Sequence, residues 1–70
     1  DSNKQEAARY LKIAADNGNA SAMCMVGLIL RDGDGIEADR AEAVRYLKMA
    51  ADKGNTDAID ELAKMAAEKY

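Results

Sequence analysis

Histidine, tryptophan, phenylalanine and proline are absent from the chain, and cysteine occurs once, as Cys24. A catalytic thiol wants a base, and no histidine is present to serve as one. Cys24 is therefore expected in or near the core, and no catalytic residue is assigned. One thiol cannot close an intramolecular bridge, which excludes a disulfide-rich secreted scaffold. No apolar run approaches the length of a membrane span and no signal peptide is visible, so no membrane partner is expected and the compartment is left unassigned. Positive charge is in deficit, with a net charge of −3. That argues against nucleic acid as a partner, since its binders need a basic surface to neutralise phosphates. Bulky apolar side chains are scarce as well. Fifteen of the 34 apolar residues are alanine, which predicts helices that approach closely around a thin core. Seventy residues allow one small domain, 1–70, which needs good helix packing or a partner to bury enough apolar surface. The chain starts at Asp1 rather than Met, and the expectation is a processed, excised or engineered piece.

What is present is one unit written twice. Residues 6–23 read EAARYLKIAADNGNASAM, and residues 42–59 read EAVRYLKMAADKGNTDAI. The offset is 36 residues, and 12 of the 18 aligned positions are identical. A period of this size is the signature of stacked helical hairpins. The punctuation repeats with it. Asn3-Lys4-Gln5-Glu6 and Asp39-Arg40-Ala41-Glu42 read as capping boxes. Gly18 and Gly54 read as helix C-caps, and Asn19 and Asn55 as caps of the helices that follow. Ala, Leu, Lys, Glu, Met and Arg, the good helix formers, dominate between these signals. The expected fold is all-α, an α-α superhelix (solenoid) of four helices near 3–16, 19–31, 39–53 and 55–69, making about two stacked hairpins.

The stretch RDGDGIEADRAEA, residues 31–43, has the alternating acids of a calcium loop. A calcium loop also needs glycine at its sixth position and a bidentate glutamate at its twelfth. Counting from Asp32, the fifth position is Ile36, the sixth Glu37 and the twelfth Ala43. No metal is therefore assigned, and a phosphate loop of the GxxxxGK[ST] type is absent. The stretch reads instead as the turn between the second and third helices. Gly33 and Gly35 supply positive φ, Asp32 and Asp34 bond locally to backbone, and Ile36 tucks beneath the helix ends.

With the repeat, the caps and the turn in hand, residues 20–58 resemble the Sel-one-like repeat family, relatives of the tetratricopeptide repeats. The resemblance rests on Ala22, Val26 and Gly27, then Gly33, Gly35, Ile36 and Asp39, and then Ala43, Tyr46, Lys48, Ala50, Ala51, Gly54 and Ala58. Residues 3–19 resemble the second helix of a preceding unit, and residues 55–70 the first helix of a following one. Leu30 stands where the family usually has Tyr, Glu37 where Pro is common, and Ala63 where Gly27 has its counterpart. The resemblance implies a solenoid that works as an adaptor or scaffold for other proteins, with no catalysis and no cofactor. The alternative is a structural or self-assembling helical-repeat unit with no ligand of its own.

Gly27 inside a helix costs about 1 kcal/mol relative to alanine, which points to a close helix–helix contact. Ala14, Ala15, Ala50 and Ala51 read as thin contacts of the same kind. Tyr10 and Tyr46 share one repeat position, so each is expected to pack its ring and leave its hydroxyl at the edge. Met23, Met49 and Met65 read as core gap-fillers, with Met25 the candidate for exposure. Arg9, Lys12, Arg45 and Lys48 form a basic, solvated stripe with Glu6 and Glu42, and Glu42–Arg45 suits an i,i+3 pair.

At about 100° per residue, Asp57, Asp60, Glu61, Lys64 and Glu68 fall on one charged stripe of the fourth helix. Its counterpart on the second helix is Ser21, Cys24, Met25, Leu28 and Asp32. The second-helix stripe is covered by the third helix, or lines a shallow groove, or both, and if the chain has a ligand the partner-binding site is expected there. Met25 and Leu28 anchor a protein or peptide, Ser21 lies alongside them, and Asp57, Glu61, Lys64 and Glu68 select its charge. The charged stripe also reads as a polar end to the array. The first helix has no such adjustment, so Tyr10, Leu11 and Ile13 are expected to form a homodimer through the N-terminal helix.

Overall fold

The computed structural model describes residues 2–68. It holds α1 (Ser2–Asp16), α2 (Ala20–Asp32), α3 (Arg40–Asp52) and α4 (Thr56–Glu68), with no strand among the described residues. The helices match the sequence expectation to within one residue at each described end. Residue 69, expected in the fourth helix, lies outside the described residues.

The two tight turns are built alike. The Asn19 N–H donates to the Ala14 carbonyl at 3.1 Å and the Gly18 N–H to Ala15 at 3.0 Å. One repeat later, Asn55 donates to Ala50 at 3.0 Å and Gly54 to Ala51 at 2.9 Å. This pair of bonds satisfies carbonyls that a helix end leaves open, and it requires the left-handed backbone that Gly18 and Gly54 adopt. The asparagine after each glycine then starts the next helix. Asn19 Oδ1 accepts from the Ala22 N–H at 2.9 Å, and Asn55 Oδ1 from Ala58 at 2.8 Å.

The two predicted capping boxes do not survive intact. Asp39 caps α3, accepting from the Glu42 N–H at 3.0 Å. The return bond is missing, because the Glu42 carboxylate is taken by Arg45 at 2.6 Å and the Asp39 N–H donates to the Leu30 carbonyl at 2.9 Å. Asn3 lies inside the helix rather than before it, since α1 already includes Ser2. Asp39 is held extended by the bond to Leu30 of the preceding helix, and no described helix precedes α1.

Each helix packs on its neighbour in the chain, α1 on α2, α2 on α3 and α3 on α4. The core is small and centred on α3. Tyr46 and Leu47 are enclosed with Val26, and Ala15, Ala43, Ala50 and Ala58 are fully covered between helices. Covering a side chain such as Leu47 contributes roughly 1.5–3 kcal/mol. The tightest approach is at Gly27. A Cβ built there would sit 2.6 Å from Leu47 Cγ and 3.1 Å from the Ala43 carbonyl oxygen. Glycine is the residue that lets α2 and α3 meet at this distance.

The connection from 33 to 39 packs back on α1. Ile36 is half-buried against the core, as its isolated apolar character predicts. Asp32 and Asp34 pair with side chains rather than with backbone. Arg31 holds Asp32 at 3.0 Å, and Lys4 holds Asp34 at 2.9 Å. The Asp34 pairing exists because α1 crosses the loop: at Gly35 (φ 90°) an added Cβ would lie 2.9 Å from the Lys4 carbonyl carbon.

Candidate functional site

The stripes predicted on α2 and α4 face one another across a groove of about 430 Å³. Ser21, Cys24, Met25 and Leu28 line one wall, and Asp57, Asp60, Glu61 and Lys64 the other, with Asn55 at the turn. The tight turn after α3 returns the chain antiparallel to it, which lays α4 alongside α2. Met25 is 49% exposed and Leu28 half-buried, so apolar surface is offered to solvent inside the groove. Cys24 is buried at its floor. Burial pushes its thiol pKa up, and the charges of Asp57 and Glu61 push it further. The thiol therefore registers the negative potential of the α4 wall.

An ion pair joins the two helices that flank the groove. Arg31 Nη1 donates to Glu61 Oε1 at 2.6 Å, tying the end of α2 to the middle of α4. The Arg31 guanidinium is held charged, first by its bonds to Asp32 and then by Glu61. Lys64 Nζ lies 3.8 Å from Glu61 Oε2. Asp57 and Asp60 remain exposed on the same wall. Sequence reasoning put Asp60 and Cys24 on the stripes but did not count them in the site, and it missed Arg31. The signal for Arg31 was present, because it follows Leu28 by three residues and so continues the α2 face.

Glu68 does not belong to the groove. Its carboxylate reaches back to Arg40 Nη2 at 3.1 Å, at the start of α3. The last turn of α4 has by then moved past the end of α2, and α3 is the nearer neighbour.

A larger depression of about 870 Å³ lies between α1, the 35–39 connection and the start of α3. Sequence reasoning did not find it. Arg9 and Lys12 stand on one side, and Glu37, Asp39 and Glu42 on the other. Two of its three acids are committed: Asp39 caps α3 and Glu42 binds Arg45. Its floor of Ala8, Val26 and Leu30 is already buried. Ile29 and Ile36 in its lining are half-buried, and it presents no large apolar side chain as exposed as Met25.

The first helix departs from expectation in two ways. Leu11 is half-buried against the core, so only part of its side chain remains exposed. Tyr10 does not pack its ring and is 72% exposed, beside the exposed Ile13. Tyr46, at the same repeat position, is 1% exposed. Its hydroxyl donates to Asp16 Oδ1 at 3.3 Å instead of standing free at an edge. Burial, and then the Asp16 charge, raise its pKa. The Arg45–Glu42 pair forms as predicted, on the exposed face of α3.

The charged stripe of α4 does not occupy the end of the array. It faces α2 across the groove, and Ile59, which lies off that stripe, is 50% exposed. No group of three or more Cys, Asp or Glu among the described residues is placed to hold a metal ion. No described helix is long and apolar enough to cross a membrane.

The Sel1 repeat family model matches the chain twice, at residues 1–19 and 20–55. The first match ends at the turn before α2, and the second takes in the α2–α3 hairpin with its connecting loop. Neither the curated proteins nor the solved structures yield a match. Repeats of this kind are generally non-catalytic modules of protein interaction. Two matches in tandem, the 36-residue period and the helix pair packed at Gly27 agree, and the chain belongs to the Sel1 repeat family.

Proposed function

We propose that the chain is a protein-binding scaffold module whose α2–α4 groove takes an amphipathic peptide, extended or helical, with basic residues beside apolar ones. The observation that carries this reading is the half-exposed Met25 set against a wall of Asp57, Asp60 and Glu61. An apolar anchor supplies most of the binding energy, and the carboxylates around it steer and select charge. Methionine suits the task, since its flexible thioether adapts to differently shaped partners. No catalytic step is assigned to any residue.

Titration with a short peptide of alternating lysine and leucine tests it, followed by amide shifts. Shifts are expected at residues 21–28 and 57–64, weakening as salt rises. Met25→Ala is expected to weaken binding about tenfold, the scale of a groove anchor. Shifts confined to residues outside these two segments would refute the assignment. A second reading, a self-associating unit, is favoured by a different observation, the exposure of Tyr10 and Ile13 on α1. Solution mass across a concentration series separates the two.

A further inference from the structure

The 36-residue repeat makes each end of the helix array a copy of a surface that is buried in its middle. On α3, Ala43, Tyr46 and Leu47 are buried. Their counterparts on α1 are Ala7 and Tyr10, both exposed, and the half-buried Leu11. On α2, Met23 is 5% exposed and Gly27 lies against Leu47. Their counterparts on α4 are Ile59 and Ala63, both exposed. The side chains that α3 presents to α2 are thus offered by α1, and a close match of the surface that receives them is offered by α4. Neither set includes a charged residue. The hydroxyl contact has a counterpart as well. Tyr46 donates to Asp16, and the pair one repeat away is Tyr10 and the exposed Asp52.

We infer that a second copy of this chain docks head to tail, its α1 lying on α4 as α3 lies on α2, with the partner's Tyr10 directed to Asp52. The contact continues the established α2–α3 interface, and it is heterologous rather than two-fold. One position holds it weak. A Cβ at Gly27 would stand 2.6 Å from Leu47 Cγ. Ala63 carries such a Cβ, so the docked Leu11 of the partner meets it and the helices sit farther apart than α2 and α3 do.

Two blocked chains test the geometry. One carries Ile59→Lys and keeps its α1 face; the other carries Tyr10→Glu and keeps its α4 face. Both positions are exposed in the folded chain, and helical circular dichroism checks that each variant folds. By sedimentation equilibrium over a concentration series, the wild type is expected to associate, each blocked chain to remain monomeric, and their mixture to form a one-to-one dimer. Ala63→Gly in the wild-type background is expected to raise the association constant about tenfold, by relieving an overpacked contact. Dimerisation of the Ile59→Lys chain by itself would mean an α1-to-α1 contact and overturn the proposal. A monomeric wild type at all concentrations, or a mixture of monomers, would overturn it equally.

Discussion

Replacing Gly27 by alanine sets two known effects against each other at one atom. Alanine is the better helix former, by about 1 kcal/mol. Its Cβ, however, would stand 2.6 Å from Leu47 Cγ, 2.9 Å from Leu47 Cδ2 and 3.1 Å from the Ala43 carbonyl oxygen. Comfortable carbon–carbon contacts lie near 3.5–4.0 Å, so the overlap with Leu47 approaches 1 Å. Turning the methyl groups about χ2 leaves Cγ where it is, a χ1 change must find room for a fully buried side chain, and the Ala43 oxygen belongs to the α3 backbone. The helices must part, and overpacking of this kind costs about 1–3 kcal/mol. With a central cost near 2 kcal/mol offset by the propensity gain, Gly27→Ala should lose about 1 kcal/mol. In a domain of this size that lowers the melting temperature by about 4–8 °C. Gly27→Leu adds three more heavy atoms at the same contact and should fall lower still. The assay is thermal and urea unfolding followed by circular dichroism at low protein concentration. The control is Ala63→Gly, the reverse exchange at the exposed repeat counterpart. It should also lose about 1 kcal/mol, from propensity alone. Opposite exchanges that both destabilise isolate the contact from the propensity. A Gly27→Ala variant as stable as the wild type, or more so, would refute the reasoning.

Gly35→Ala should cost about 2–3 kcal/mol, because it combines a left-handed backbone with a close approach to the Lys4 main chain. Asp34→Ala should cost under about 1 kcal/mol, since its pair with Lys4 is exposed. Hydrogen exchange should show α1 losing protection first in the Gly35 variant, and equal effects of the two substitutions would count against the close approach. Stability should decline in alkaline solution. The Cys24 and Tyr46 pKa values are both raised on folding, so the unfolded chain releases these protons first and is favoured as pH rises. The decline should begin near the ordinary thiol range, about pH 8.5, and steepen near about pH 10 for the tyrosine. Cys24→Ala should flatten the first part of a urea-midpoint profile and Tyr46→Phe the second; unchanged slopes would exclude these groups as the cause.

Local order was legible in the residues. The repeat, the paired glycine and asparagine signals at 18–19 and 54–55 and the four helices all rest on interactions within a few residues or on a pattern that recurs, and Gly27 was legible through the propensity cost of a glycine inside a helix. Six of the seven residues on the predicted binding stripes line the α2–α4 groove, because a 100° step per residue tells which side chains share a helix face. Which helix stands opposite that face is another matter. Only the packed chain brings Arg31 to Glu61, turns Glu68 away to Arg40 and lays Lys4 over the 33–35 turn. Tyr10 and Tyr46 state the difference most plainly. They sit in nearly identical local sequence, RYLKIAAD and RYLKMAAD, on helices of the same kind, and one is 72% exposed while the other is 1% exposed. A helix of this repeat carries its interface with it, but burial needs the neighbouring unit to supply the other half. The identity of each face was therefore set by the sequence alone, and its partner, or the lack of one, by the tertiary structure.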